Sequence, residues 1–327
     1  MPAAAARVVL VTGVSRFLGA RVASALAADP GIERVIGVDT VPPDGTLGRT
    51  EFVHVDIRTP SVSKIIESAG VDTVVHLSLV ASSSAPRAKV KELNVIGTMQ
   101  VLAACQRSSA MRKLVVRSSA AVYGSSPMDP AVFGERDEPV EPPRSGYAKD
   151  AVEVEGYVRG LARRRSDLTV SVLRFANFLG PGVDSPFTRY LSLPVVPTVL
   201  GFDPRLQFVH EDDGVEALRR MTVEDHHGCF NVAGDGVLLL SQALRRARRP
   251  YVPVPSPSLS VGRRVAGLSG FSPELLRWLT HGRVIDTAAL RDELAWRPEY
   301  SSEAAFADFA AARGFGRGRL TSLLGRA

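Results

Sequence analysis

A doubly wound parallel α/β sheet with a smaller C-terminal lobe is the fold class this sequence predicts. Three observations carry the expectation. The stretch Arg7 to Ala20 opens on a run of β-branched residues, Val8-Val9-Leu10-Val11, passes through Thr12-Gly13 into a tight turn, and continues as a helical pattern over about residues 18–28. A second apolar run, Val35-Ile36-Gly37-Val38, ends in Asp39. Strand-like runs then alternate with helical segments through the first half, the pattern of a parallel sheet covered by helices on both faces.

The first strand–turn–helix unit matters most for function. Such a turn points backbone N–H groups and a helix N-terminus at a phosphate. A carboxylate at the end of the second strand accepts hydrogen bonds from a ribose. Gly13, Arg16, Phe17, Leu18 and Gly19 therefore form a candidate pyrophosphate turn, with Asp39 as the candidate ribose ligand. Arg16 lies within this turn, and its guanidinium offers a phosphate a contact.

The remaining elements follow in order. A loop rich in Pro and Gly covers residues 41–49, and a short strand at 52–55 ends at Asp56-Ile57. A helix is expected over 61–69, a strand over 72–77, and a helix carrying Glu92, Asn94 and Gly97 to Arg107. A strand at 113–117 leads into Ser118-Ser119-Ala120-Ala121-Val122-Tyr123-Gly124. After a loop at 125–143 come a helix over 146–165 and a strand over 169–175. The apolar stretch 191–202 reads as lobe core, or as a pocket wall for an apolar ligand. Residues 250–260 read as a loop, and Arg283 to Thr287 lead into a helix ending before Trp296.

Composition bounds the function classes. The chain has 327 residues, 45% hydrophobic and 23% charged, with 40 Lys and Arg against 34 Asp and Glu. The excess is mostly arginine in short clusters, which reads as solvated helix faces. No interleaved aromatics accompany it, so no nucleic-acid partner is expected. Two cysteines, Cys105 and Cys229, make no disulfide framework and read as buried thiols in a reducing compartment. No apolar run has membrane-spanning length and no signal peptide is evident, so a cytoplasmic protein without an integral membrane segment is expected. His76 reads as a core histidine at a strand end. No metal site is expected; His226 and His227 are adjacent, and adjacent residues on extended chain point apart.

The chain resembles the extended short-chain dehydrogenase/reductases of the NAD-dependent epimerase/dehydratase family over about residues 7–310. The motifs that carry the likeness include Thr12-Gly13…Gly19, Asp39, Asp56-Ile57, Asn94-Val95-Ile96-Gly97-Thr98, Ser118 to Gly124, Ser145-Gly146-Tyr147, Leu173 to Asn177, Gly180-Pro181-Gly182, Phe208 to Asp213, and Leu294 to Pro298. The resemblance implies a Rossmann-type domain over 1–176, also receiving 208–232, and a substrate lobe over 177–327. It implies NAD, with NADP disfavoured by the Asp39 carboxylate. Asp56 and Ile57 would flank adenine, Leu77 and Ser78 would contact the linker, and Asn94 would support the cofactor-side backbone. A homodimer is implied, through helices near 92–107 and 146–165.

In this family a tyrosine moves the substrate hydroxyl proton, helped by a serine and a lysine. The matching positions are Ser119 and Tyr147. The lysine belongs four residues after the tyrosine, where this chain has Ala151. Lys149 is the nearest lysine, but two residues rotate a helix by about 200°, which turns it from the tyrosine face. A local irregularity restoring Lys149, another cation such as Arg144 or Arg174, or an unactivated tyrosine all remain open. On the substrate side the resemblance implies Asn177. It also implies diphosphate-binding arginines at positions held by Leu206 and Asp292, with Arg205 and Arg291 adjacent. The expected function is oxidation–reduction of a hydroxyl-bearing substrate, a sugar nucleotide by family default. The alternatives are an apolar alcohol or ketone as substrate, or a catalytically weak dinucleotide-binding sensor or scaffold.

Overall fold

The structure is a computed structural model describing residues 7–81, 86–144, 146–255 and 272–315. The part of the expected 250–260 loop beyond residue 255, and the basic tail beyond residue 315, lie outside the described residues. Seven strands form one parallel sheet: β1 (Val8–Thr12), β2 (Arg34–Asp39), β3 (Glu51–His54), β4 (Thr73–His76), β5 (Lys113–Ser119), β6 (Thr169–Phe175) and β11 (Gly228–Val232). Their spatial order is β3-β2-β1-β4-β5-β6-β11. The order reverses between β1 and β4, so a crevice opens there above the C-terminal strand ends.

Near-continuous β-branched runs form these strands because both faces of the sheet are buried. One face packs against α2 (Ser61–Ser68), α4 (Thr98–Arg107) and α5 (Gly146–Arg164). The other packs against α1 (Phe17–Ala28), α7 (Glu211–Val223) and α10 (Ala288–Leu294). The helix expected at 92–107 begins earlier, as α3 (Arg87–Lys91), and passes through a π-helical turn, Glu92–Gly97, into α4. Such a widened turn often marks a functional site. Here it carries Asn94, whose side chain is fully buried and pairs with both backbone groups of Val80.

The lobe has its own aromatic core, including Phe187, Tyr190, Phe208, Trp278, Phe306 and Phe309. It is built from α6 (Pro186–Leu191), α8 (Leu240–Arg246), α9 (Pro273–His281) and α11 (Ser302–Ala312), with three two-stranded sheets. These pair β7 (Asn177–Leu179) with β10 (Phe208–His210), β9 (Arg205–Leu206) with β12 (Leu238–Leu239), and β8 (Val196–Val199) with β13 (Tyr251–Val254). Two expectations change. Residues 251–254 are a strand rather than loop, and Pro253 is tolerated because a two-stranded sheet is all edge. The apolar stretch 191–202 supplies β8 and lobe core. Its outward residues Val195, Leu200 and Phe202 are exposed, and none of the stretch lines the main cleft. Among the described residues, no helix is long and apolar enough to cross a membrane.

Candidate active site

The crevice at the sheet's switch point opens into a cleft of about 760 Å³, within the range of small-molecule and cofactor sites. The turn after β1 forms one end. Gly13 sits at φ +81, beyond easy reach of other residues. A Cβ on Gly19 would overlap the Gly13 carbonyl oxygen, so α1 can pack onto the turn only with glycine there. These two positions keep their glycines for steric reasons. Arg16 is the N-cap of α1 at φ −97, ψ 151, ordinary extended backbone that requires no glycine. Its side chain does not cap the helix, so the first N–H groups of α1 remain available to a ligand. Phe17 lies against Gly182 of the lobe, where a Cβ would collide with its ring.

Arg16, Phe17, Leu18, Gly19 and Leu77 line the cleft. Ser78 is buried with its hydroxyl close to Gly13. The Asp39 carboxylate accepts hydrogen bonds from Ser15 N (3.1 Å) and Ser15 Oγ (2.5 Å), so it braces the same turn. Asp56 ends the β3 segment paired with Arg58 (2.6 Å), whose hydrogen bonds hold the carboxyl below its usual range. Ile57 is buried against Gly97. Asn94 stands behind the cleft wall, bonded to Val80 and to Asp150 (2.8 Å). The glycine-braced turn, the uncapped α1 terminus and a nearby carboxylate fit a dinucleotide.

At the other end, Ser119 and Tyr147 line the same cleft. Ser119 ends β5, and its Oγ accepts from Ala121 N (3.1 Å), leaving its proton free to donate. Tyr147 lies in the first turn of α5, and its hydroxyl is buried with no hydrogen-bond partner among the described residues. Gly146 precedes it at φ +69, with the Glu274 carboxylate against its Cα. Asn177, at the start of β7, also lines the cleft.

Of the residues expected at the catalytic and substrate end, Lys149, Arg205 and Arg291 are not brought to the cleft. Lys149 stays on the outer face of α5, 3.8 Å from Glu153, as the 200° rotation requires; no irregularity turns it round. Arg205 is exposed, and its carbonyl instead accepts from Arg283 N (3.2 Å). Arg291 points from α10 towards Asp235 (3.3 Å) and Thr287 (3.3 Å). Leu206 lies wholly in the lobe core, so that register holds no cation. Arg174 is also unavailable. It is closed in by Glu155 (2.6 Å), the Tyr123 hydroxyl (2.8 Å) and the Glu135 carbonyl (3.0 Å).

Among the described residues the cations that line the cleft are Arg16, Arg117, Arg144, Arg277 and Arg283. Arg117 had a sequence signal: strand alternation puts it on the face of Ser119. It donates to the Leu79 carbonyl (2.7 Å) and lies 5.7 Å from the Phe178 ring centre. Arg283 had none; the lobe delivers it, and its Nη1 donates to the Gly124 carbonyl (2.5 Å). His76 spans Thr12 (2.9 Å) and Thr98 (2.8 Å) beneath the crevice, and burial pushes it down to about 4. That is a neutral structural histidine. His226 bonds Glu224 (2.9 Å) and Glu293 (3.0 Å).

Comparisons with known proteins agree with this geometry. An uncharacterized protein of Mycobacterium tuberculosis is 45% identical over 94% of this chain and 84% of its own. A UDP-glucose 4-epimerase of Mycolicibacterium smegmatis is 29% identical over 89% of this chain and 93% of its own. A solved UDP-glucose 4-epimerase of Thermotoga maritima, bound to UDP-glucose, superposes with TM-score 0.71 over 94% of this chain and 98% of its own, at 20% identity. A UDP-glucuronic acid 4-epimerase of Bacillus cereus with NAD gives 0.71 over 93% and 98%, at 17% identity. At these identities the two structures speak for the fold alone. The model of the NAD dependent epimerase/dehydratase family matches residues 9–233, which takes in the glycine turn, Ser119, Tyr147 and Asn177. The chain belongs to the NAD dependent epimerase/dehydratase family.

Proposed function

We propose that this protein is an NAD-dependent oxidoreductase of the epimerase or dehydratase type, acting on a hydroxyl-bearing sugar nucleotide. One observation carries the reading: a single cleft joins a glycine-braced helix terminus suited to a pyrophosphate with the hydroxyls of Ser119 and Tyr147. A bound nicotinamide dinucleotide supplies a reversible hydride acceptor. The α1 terminus and Arg16 hold its phosphates, and Asp39 takes the adenosine ribose. A carboxylate there supports NAD over NADP, because it repels a 2′-phosphate. Tyr147 takes the proton from the substrate hydroxyl, Ser119 orients that oxygen, and Asn177 contacts the substrate. Phe17, Leu77, Phe178 and Trp278 give the cleft apolar walls.

We place the active form as a cytoplasmic homodimer. Ile96, Met99 and Tyr157, large side chains exposed on the helices that would meet, support that reading. A second reading, oxidation of an apolar alcohol, is favoured by those apolar walls and by the absence of Arg205 and Arg291 from the cleft. Incubation with NAD and UDP-glucose, with chromatography of the sugar nucleotides, tests the first reading. Interconversion is expected, reduced at least 100-fold in Tyr147→Phe. Unchanged UDP-hexoses, with NAD reduced by a hydrophobic alcohol, would replace it by the second.

A further inference from the structure

The family position for a cation on α5 is Ala151, which is wholly buried in the apolar core. A phenolate at Tyr147 still needs a positive charge close by. Among the described residues the charged side chains that line the cleft are Glu141, Arg144, Asp184, Glu274, Arg277, Arg283 and the pair Arg16 and Arg117, which lie within electrostatic reach of each other towards the α1 end. Glu141 and Arg277 are paired with each other (3.2 Å). Glu274 lies against Gly146 and is an anion, not a cation. Arg144 is exposed, where water and salt screen it.

Arg283 differs from all of these. Its guanidinium is drawn into the wall between the Ser119–Gly124 segment and α9, and among the described residues its hydrogen-bond anchor is the Gly124 carbonyl. No carboxylate lies within ion-pair distance of it among the described residues. Burial pushes it down to about 10, while Asp129 and the phenols of Tyr123 and Tyr147 pull the other way. A desolvated cation with no carboxylate in ion-pair contact, Asp129 acting only from a distance, gains from an anion formed in front of it.

We propose that Arg283, delivered by the C-terminal lobe, is the positioning residue that supplies the positive charge for Tyr147 in place of a lysine on α5. The chain has moved this charge from the tyrosine's own helix to a segment more than a hundred residues away. The C-terminal lobe thereby takes part in activating the tyrosine. This rests on Tyr147 as the proton-moving group.

The test follows the alkaline titration of Tyr147 by ring-carbon NMR of the full chain labelled at tyrosine, with Tyr147→Phe assigning the resonance. In Arg283→Gln the midpoint is expected to move up by about one pH unit, a tenfold loss of phenolate at fixed pH. Arg283→Lys should restore most of it, and the lower limb of the turnover pH profile should move the same way. Should Arg283→Gln fail to fold, Arg283→Met, which keeps the chain length in the wall, gives the same reading. An unmoved Tyr147 titration in a folded Arg283 variant, or a larger shift from Arg144→Gln, overturns the proposal. The titration needs no substrate. A shifted titration together with full turnover in Tyr147→Phe would instead overturn the functional reading and leave the Arg283–Tyr147 pairing standing.

Discussion

Two arginines near the ends of the central strands are treated in opposite ways. Arg174, on β6, is closed on all sides: Glu155 holds it, Ser118 donates to the same carboxylate at 2.6 Å, and Tyr123 passes a further bond to Asn231 at 2.9 Å. Arg283 is close to the same Ser119–Gly124 segment, but among the described residues its guanidinium bonds one carbonyl and no carboxylate. The closed network holds β5, β6 and α5 together. The open one faces a cleft. A cation whose partner is already built in belongs to the fold, and a cation left without one belongs to the ligand or the chemistry.

The comparison can be broken most forcefully at Glu155. Glu155→Ala leaves Arg174 buried without its carboxylate, and urea unfolding should show a loss of about 3–5 kcal/mol. Arg283→Gln should cost less than about 1 kcal/mol in the same assay, since no built-in ion pair is lost. Equal losses would erase the distinction.

His76 extends it to a neutral group. With its folded value near 4 against 6.5 unfolded, the unfolded chain binds the extra proton between those limits. Stability should therefore fall as pH drops from about 6.5 to 4, by about 3 kcal/mol from this residue. Chemical melts across that range should show a shallower slope in His76→Gln.

Gly19→Ala sharpens the cofactor end. Its methyl meets the Gly13 carbonyl, so a stability loss of about 1–3 kcal/mol is expected, with weakened NAD binding by calorimetry. The smallest effect belongs to Lys149→Ala. Its exposed pair with Glu153 is worth under about 0.5 kcal/mol, and neither the melting temperature nor the Tyr147 titration should move.

What the sequence made legible follows from how each region is assembled. The β1–α1 turn is a contiguous segment, so its glycines, Asp39 and the helix start are readable as local pattern. Ser119 and Tyr147 each sit in a short motif at the end of β5 or the start of α5, and the fold brings them to one cleft. The lobe follows another rule. Arg205 and Arg291 were nominated by their neighbours in sequence, yet one is exposed and the other turns to Asp235. Arg283 reaches Gly124 across 159 positions, a contact no local periodicity encodes. The strand at 251–254 was hidden by Pro253, because its pairing partner lies some fifty residues earlier. Lys149 keeps the outward direction that helix rotation gives it, beside Glu153, because a helix interior is regular.

Mass spectrometry of the small molecules released when the purified protein is denatured tests most directly whether a dinucleotide is held at the braced turn. NAD or NADH is the predicted release, approaching one per chain for a tightly held and internally recycled cofactor. A protein that releases no dinucleotide, and takes up neither NAD nor NADP when either is added, would contradict it and leave the cleft as a scaffold.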